Sequence, residues 1–209
     1  MSNSSSGPKL ILASQSLRRR YLLEQAGIEF SVIPSSFDES SIRLSSPDSY
    51  VRQLAESKAG EISEKYPASW VIGADTIVFI NGTVMGKPGS KSEARAMLEC
   101  LSGNIHQVLT GYCICCKSAG RSFTDAVNTE VQFKPLSMEE IDWYLDSGEP
   151  FDKAGAYAIQ GLGTFLVKSI HGSYTNVVGL PVCEVLEFLI KEGIIGLNID
   201  DFNRNLLIL

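Results

Sequence analysis

Apolar positions along this chain follow two rhythms, short solid or alternating runs and longer stretches repeating every three or four residues, and the two interleave from end to end. Residues 10–13 read as a strand, 17–26 as a helix and 30–33 as a second strand. Pro47 suits the first position of a long helix whose apolar stripe is Tyr50, Val51, Leu54, Ala55 and Ile62. Residues 70–74 form a buried strand that ends just before Asp75. Residues 77–80, Asn81-Gly82 and residues 83–85 predict a hairpin, because Asn-Gly takes positive φ at little cost.

Ser90 with Glu93, and Ser137 with Glu140, each make a capping box ahead of helices at 94–101 and 141–145. Between them two long strands meet near Ser118 to Gly120. Residues 165–170 are another strand, and Pro181 opens a last amphipathic helix carrying Val182, Val185, Leu186, Leu189 and Ile190. The alternation predicts the α/β class. The long hairpin argues against a purely parallel sheet, so a mixed sheet with helices packed on it is expected.

Composition narrows this picture. A chain of 209 residues with 44% hydrophobic content suits one domain, or two closely packed lobes, spanning residues 9–196. Residues 1–8 are too polar to bury and read as a disordered leader, and residues 197–209 as a C-terminal tail. The formal charge of −6 excludes a general nucleic-acid binder, so any anionic ligand must meet a local cluster of cations. No apolar run is long enough for a membrane span and no charged-then-apolar leader precedes Leu10, which predicts a cytoplasmic protein. Five cysteines, an odd number, are expected as free thiols. Cys113 and Cys116 are three apart on a strand and so point to opposite faces, against a metal or redox pair.

The segment Ala13-Ser14-Gln15-Ser16-Leu17-Arg18-Arg19-Arg20 is the most informative. A strand ends, Ser16 caps a helix, and three arginines fill the first turn, where the positive end of the helix dipole disfavours cations. A bound anion reverses that sign: free N–H groups, the Ser14 and Ser16 hydroxyls and guanidinium forks hold a phosphate well. At 100° per residue, at most two of the three arginines face one ligand.

Gly73-Ala74-Asp75-Thr76 delivers a carboxylate from an apolar strand, although a turn aspartate would look the same. Asp38 and Glu39 offer further contacts to a metal or water, and Lys58 on the long helix reads alone as a solvated charge. Gly86-Lys87-Pro88 is not a Walker A loop, since Pro88 stands where Ser or Thr is needed. The stretch from Gly148 to Gly161, with Glu149, Asp152, Lys153 and Gln160, mixes charge, glycine and aromatic residues as a ligand loop does. His106 and His171 are isolated and carry no catalytic or zinc pattern.

Taken in order, A-S-x-S-x-R-R, G-A-D-T, G-K-P, D-K-A-G-A-Y-A-I-Q-G and N-V-V-G-L-P resemble the Maf-like nucleoside triphosphate pyrophosphatases, most closely the branch acting on dTTP and UTP. The resemblance runs from about Leu10 to Gly196 and departs at Leu17, where the family commonly has proline. It implies a strongly twisted mixed sheet with two lobes around a central cleft, Mg²⁺ or Mn²⁺ as cofactor, and a homodimer. It also implies Asp75 as general base, Glu39, Lys58 and Lys87 lining the catalytic cleft, and Arg18, Thr76 and Gln160 in substrate choice.

On that basis Asp75 and Glu39 are expected to seat the metal. Arg18, Arg19, Lys58 and Lys87 should neutralise a triphosphate that is cut between its α and β phosphates. Two other functions fit the same cation cluster: a nucleotide-binding regulator of cell division that does not hydrolyse, and a phosphatase releasing orthophosphate.

Overall fold

A computed structural model of the chain describes residues 9–43 and 46–196. The expected leader at 1–8 and tail at 197–209 lie outside the described residues. In chain order the elements are β1 (Leu10–Leu12), α1 (Leu17–Gln25), β2 (Ser31–Val32), α2 (Pro47–Lys65), β3 (Trp70–Ile80) and β4 (Thr83–Met85). They continue with α3 (Lys91–Leu101), β5 (Ile105–Cys116), β6 (Arg121–Phe133), α4 (Met138–Asp146), β7 (Val167–His171), α5 (Tyr174–Val178) and α6 (Val182–Lys191). The strands form one seven-stranded sheet in the order β2-β1-β3-β5-β6-β7, with β4 also on β3. β1 runs parallel to β2 and β3, and the remaining pairs are antiparallel, so the expected mixed α/β sheet is what forms.

β3 is the spine. β5 pairs along one of its edges from Val71 to Phe79, so β1 and β4 must share the other. β1 takes Trp70 to Ile72 and β4 takes Val78 to Ile80, which leaves residues 73–77 of that edge without a strand partner among the described residues. The expected strand at 70–74 therefore does not stop at Asp75; it continues to Ile80 because β5 supplies an unbroken ladder. A periodicity reading broke there because polar Asp75 and Thr76 interrupt the apolar run.

α2 crosses this sheet at backbone distance. A Cβ on Gly73 would lie 2.4 Å from the Ala55 carbonyl oxygen, and one on Gly111 would lie 2.2 Å from that of Val51. Gly111 is the residue paired with Asp75 across β3 and β5. Burial of Ala55, Ala59 and Ile62 against Val71 and Cys113 completes this face. On the opposite face Leu22, Leu23, Val185 and Leu189 pack on Ile72, Ala74 and Ile114. A third cluster, around Val78, Leu98, Phe133, Ile141 and Tyr144, joins α3 and α4 to the far ends of the long strands.

Local chemistry accounts for most boundaries. Asn81 and Gly82 take φ of 50° and 78° in the expected hairpin. Ser137 and Glu140 make a complete capping box, whereas the Glu93 carboxylate accepts from the Gly89 amide at 2.7 Å rather than closing on Ser90. The strand expected at 165–170 spans 167–171, because residues 161–166 wind into 3-10 turns first. The second strand shrinks from four expected residues to Ser31–Val32. Helix α5 was not expected: five residues are too few to show a period, and it is set by the Ser173 cap and by Gly179 at φ 132°. All five cysteines are free thiols, and Cys113 and Cys115 share the α2 face of β5.

Two outcomes follow from this packing. In Gly111→Ala the new methyl meets helix backbone, which cannot rotate away, so α2 must lift. Urea unfolding should show a loss of about 1–3 kcal/mol, and catalysis should fall with it. His106 is 1% exposed, with Nε2 bonded to the Tyr157 hydroxyl at 2.7 Å and Nδ1 without a partner among the described residues. Burial pushes its pKa down to about 4 from 6.5. The unfolded chain thus binds a proton that the folded chain refuses. This contribution is complete above pH ~6.5 and drains away as pH falls towards 4, by at most about 3 kcal/mol. Unfolding of wild type and His106→Leu at pH 7 and pH 4.5 should show a shallower pH dependence in the variant.

Candidate active site

The arginine turn sits where β1 hands over to α1. Ser16 caps the helix by accepting from the Arg19 amide at 3.4 Å, and Ser14 Oγ accepts from the Ser16 amide and from Arg19 Nη1, both at 3.2 Å. Acidic residues are absent from the first turn. The three arginines diverge, as 100° per residue requires. Arg19 turns inward: Nε donates to the Gly179 carbonyl at 2.7 Å and Nη2 to Thr76 Oγ1 at 3.0 Å. Arg18 reaches Asp152 at 3.3 Å, and Arg20 turns back to Glu24 at 2.6 Å, away from the site.

Beside this group lies a second one. Lys58 Nζ stands 2.6 Å from Asp75 Oδ1 and 2.6 Å from Glu39 Oε1. Lys58 and Asp75 are nearly buried, at 12% and 13% side-chain exposure, whereas Glu39 is 55% exposed. Gly73 and Gly111 are what bring the lysine within reach: with α2 pressed on the sheet, the residue before Ala59 overhangs Asp75. The two groups share one field. Burial lowers the Arg19 pKa, and Asp75 and Glu39 oppose that shift. The Tyr50 phenol is raised, first by burial and then by the same two carboxylates. Tyr50 reads in the sequence as one more apolar position of α2, so its place at the site is visible only in the fold.

Asp75 and Thr76 lie on opposite faces of β3, yet both reach the site because no strand among the described residues covers the edge there. On the Thr76 side a polar chain runs inward. Arg19 donates to Thr76, whose hydroxyl is 2.9 Å from Thr110 Oγ1, and Thr110 donates to the Asn176 carbonyl at 3.0 Å. Asn176, fully buried, donates to the Val108 carbonyl and to Thr129 Oγ1. This is the structural content of N-V-V-G-L-P: Asn176 anchors α5, and Gly179 presents the carbonyl that Arg19 grips. Sequence pattern marks neither Thr110 nor Asn176 as a site residue, although Asn176 opens one of the family's motifs.

The 148–163 segment forms the remaining wall. Asp152 bonds both Arg18 and Lys153, and Lys153 Nζ also donates to the Glu149 carbonyl at 2.7 Å. Lys87 is exposed on a loop tied to this wall through Gly86, whose carbonyl accepts from the Gly155 amide at 3.0 Å. Its ammonium has no bonded partner among the described residues, so the structure joins Lys87 to the site through backbone and not through its side chain. Gln160 lines an open pocket of about 500 Å³ with Ile159, Thr164, Ser169 and Tyr174.

The arrangement as a whole is a cation-lined edge with two carboxylates converging on one point. That point suits a hard divalent ion in its donor chemistry, since Asp75 and Glu39 already place oxygens around a common cation, Lys58. Among the described residues no group of three or more His, Cys, Asp or Glu forms a ready cage. Mg²⁺ and Mn²⁺ accept such a sparse set, completing it with water and substrate oxygens. No helix among the described residues is long and apolar enough to cross a membrane.

Known proteins share this sequence closely. One named dTTP/UTP pyrophosphatase from Syntrophus aciditrophicus is 47% identical over 94% of this chain and 96% of its own length. Another of that name from Halalkalibacterium halodurans is 47% identical over 88% of this chain and 96% of its own. A solved structure of a HAM1 protein from Coxiella burnetii aligns over 88% of this chain and 98% of its own, at 16% identity and a TM-score of 0.48. A family model described as Maf-like protein matches residues 9–192, which include every residue of the site described above, and the chain belongs to that family.

Proposed function

We propose that this protein hydrolyses dTTP and UTP to the nucleoside monophosphate and pyrophosphate. The names of its relatives support the reaction and the substrates. The observation that carries it is the convergence of Arg19 and Lys58, on two different helices, upon the uncovered edge of β3 at Asp75 and Thr76. Breaking a phosphoanhydride demands that charge repulsion be relieved and one water be aimed, and this edge offers cations for the first task and a carboxylate for the second.

In this mechanism the triphosphate lies along the mouth of α1, where Arg18 and Arg19, with the Ser14 and Ser16 hydroxyls, grip its oxygens. Lys87, Lys153 and Asp152 border the far end. A water attacks the α phosphorus: its oxygen forms the new P–O bond, the bond to the α–β bridging oxygen breaks, and pyrophosphate leaves with that electron pair. Asp75 takes the water's proton. Asp75 and Glu39 would hold Mg²⁺ or Mn²⁺, which when bound would neutralise phosphate charge. Lys58, 2.6 Å from each, holds the two carboxylates at that point.

Base choice falls to Gln160, on the wall of the open pocket. Uracil and thymine present a carbonyl acceptor beside an N–H donor, and a carboxamide returns one of each. Thr76 acts indirectly, through Arg19 and the polar chain behind it.

Incubating the protein with a panel of nucleotides and Mg²⁺, then separating products, tests the reaction: monophosphate plus pyrophosphate is expected. Orthophosphate plus diphosphate would establish a phosphatase, and absence of turnover a nucleotide sensor. Asp75→Asn should lower kcat by about 10² or more, with near-wild-type turnover removing Asp75 as the base. Gln160→Glu should depress UTP and dTTP hydrolysis relative to GTP; an unchanged preference would show that Gln160 does not read the base.

A further inference from the structure

One carboxylate near the site has no part in the mechanism above, yet it is among the most heavily bonded in the molecule. Glu149 Oε1 accepts from the Tyr144 hydroxyl and from the Gly163 amide, both at 2.9 Å, and Oε2 accepts from the Leu162 amide at 3.0 Å. Gly161, at φ 69°, lies so close that a Cβ there would come within 2.6 Å of Oε2. The Tyr144 hydroxyl, which donates to Glu149, accepts in turn from the Ala158 amide at 3.2 Å. The loop holding Gln160 is thereby tied down on both sides, at Ala158 and at residues 162–163, by one carboxylate and one phenol.

Three donors converge on this one carboxylate. The 161–166 turns have no side-chain cap of their own, and Gln160 precedes them in extended backbone at φ −103° and ψ 166°. Without Glu149 the Leu162 and Gly163 amides lose their acceptor, and the pocket wall carrying Gln160 loses its support. The same residue's backbone carbonyl accepts from Lys153, which bonds Asp152, which bonds Arg18. Glu149 thus touches both the phosphate side and the base side of the site, through different atoms.

We propose that Glu149 is the positioning residue of base selection: its carboxylate holds the 158–163 loop from behind so that Gln160 and Tyr174 frame the pocket that receives the pyrimidine. The proposal rests on the reading of Gln160 given above. It assigns the pocket lined by Gln160, Thr164, Ser169 and Tyr174 to the base, and the work of shaping it to a residue that never meets substrate. Since the carbonyl that holds Lys153 survives any side-chain change, Glu149 variants should disturb base recognition and spare the phosphate grip.

Glu149→Gln keeps the shape but turns an amide N–H₂ towards a group that itself donates. The UTP to GTP ratio of kcat/KM should fall by about 10-fold, the size expected for losing one bond to a charged acceptor, and mainly through KM for UTP. Inhibition by inorganic pyrophosphate, which has no base, should stay as in wild type. Tyr144→Phe removes one bond to the same carboxylate and leaves the ring packed, so it should shift the ratio in the same direction by less, and it decides the matter if Glu149→Gln does not fold. An unchanged ratio in both variants overturns the proposal. So does a uniform loss across nucleotides with weakened pyrophosphate inhibition, which would mark Glu149 as structural. If Gln160→Glu alters base preference while the Glu149 and Tyr144 variants do not, the positioning role fails and the reading of Gln160 stands.

Discussion

The close approach of α2 to the sheet governs the rest of this site. Helices usually stand off a sheet by the length of their side chains, but here Gly73 and Gly111 leave no side chain between the strands and the backbone of α2. Burial of Ala55, Ala59 and Ile62 holds the contact, and its geometric result is that a lysine of α2 meets an aspartate of β3 in a nearly dry environment. An ion pair of that kind is costly to assemble and sensitive to spacing. It needs a scaffold that fixes both partners, which the glycine contact provides within two residues of each.

The second determinant is the way two strands share one edge of β3. β1 and β4 approach from either end and stop, and the interval between them holds Asp75 on one face and Thr76 on the other. A continuous neighbour would have covered both. The interval also lies just past the end of β1, where α1 begins, so the helix entrance with its cations opens on the same gap. The arginine-crowded helix entrance and the carboxylate are neighbours because a parallel strand ended early, which is the usual place for ligands in sheets of this class.

Polar order behind the site ties these parts together. Arg19 is gripped by Ser14, Thr76 and the Gly179 carbonyl, and Thr110 and Asn176 pin that carbonyl's segment to β5 and β6. The guanidinium therefore has few positions available to it, which is what preorganised charge requires. On the other wall Glu149 plays the equivalent part for a loop of 3-10 turns that has little regular hydrogen bonding of its own.

The sequence by itself determined most of the elements, the mixed class of the sheet, the helix entrance crowded with arginines, and the order of motifs that marks the family. Each of these is written in neighbouring residues: period, caps, the Asn-Gly turn, and charge at the wrong end of a dipole. It also foretold that one of three arginines must turn away, and Arg20 does. What only the tertiary structure decided is which distant residues meet. Lys58 looked like a solvated charge until α2 was laid on Gly73, Tyr50 looked like core, and Asp75 looked like the end of a strand that continues for five residues more. Asn176, Thr110 and Glu149 owe their roles to partners up to 68 residues away. No local pattern records such pairings, because the free energy that selects them comes from burying helix on sheet, and that is settled by the whole chain at once.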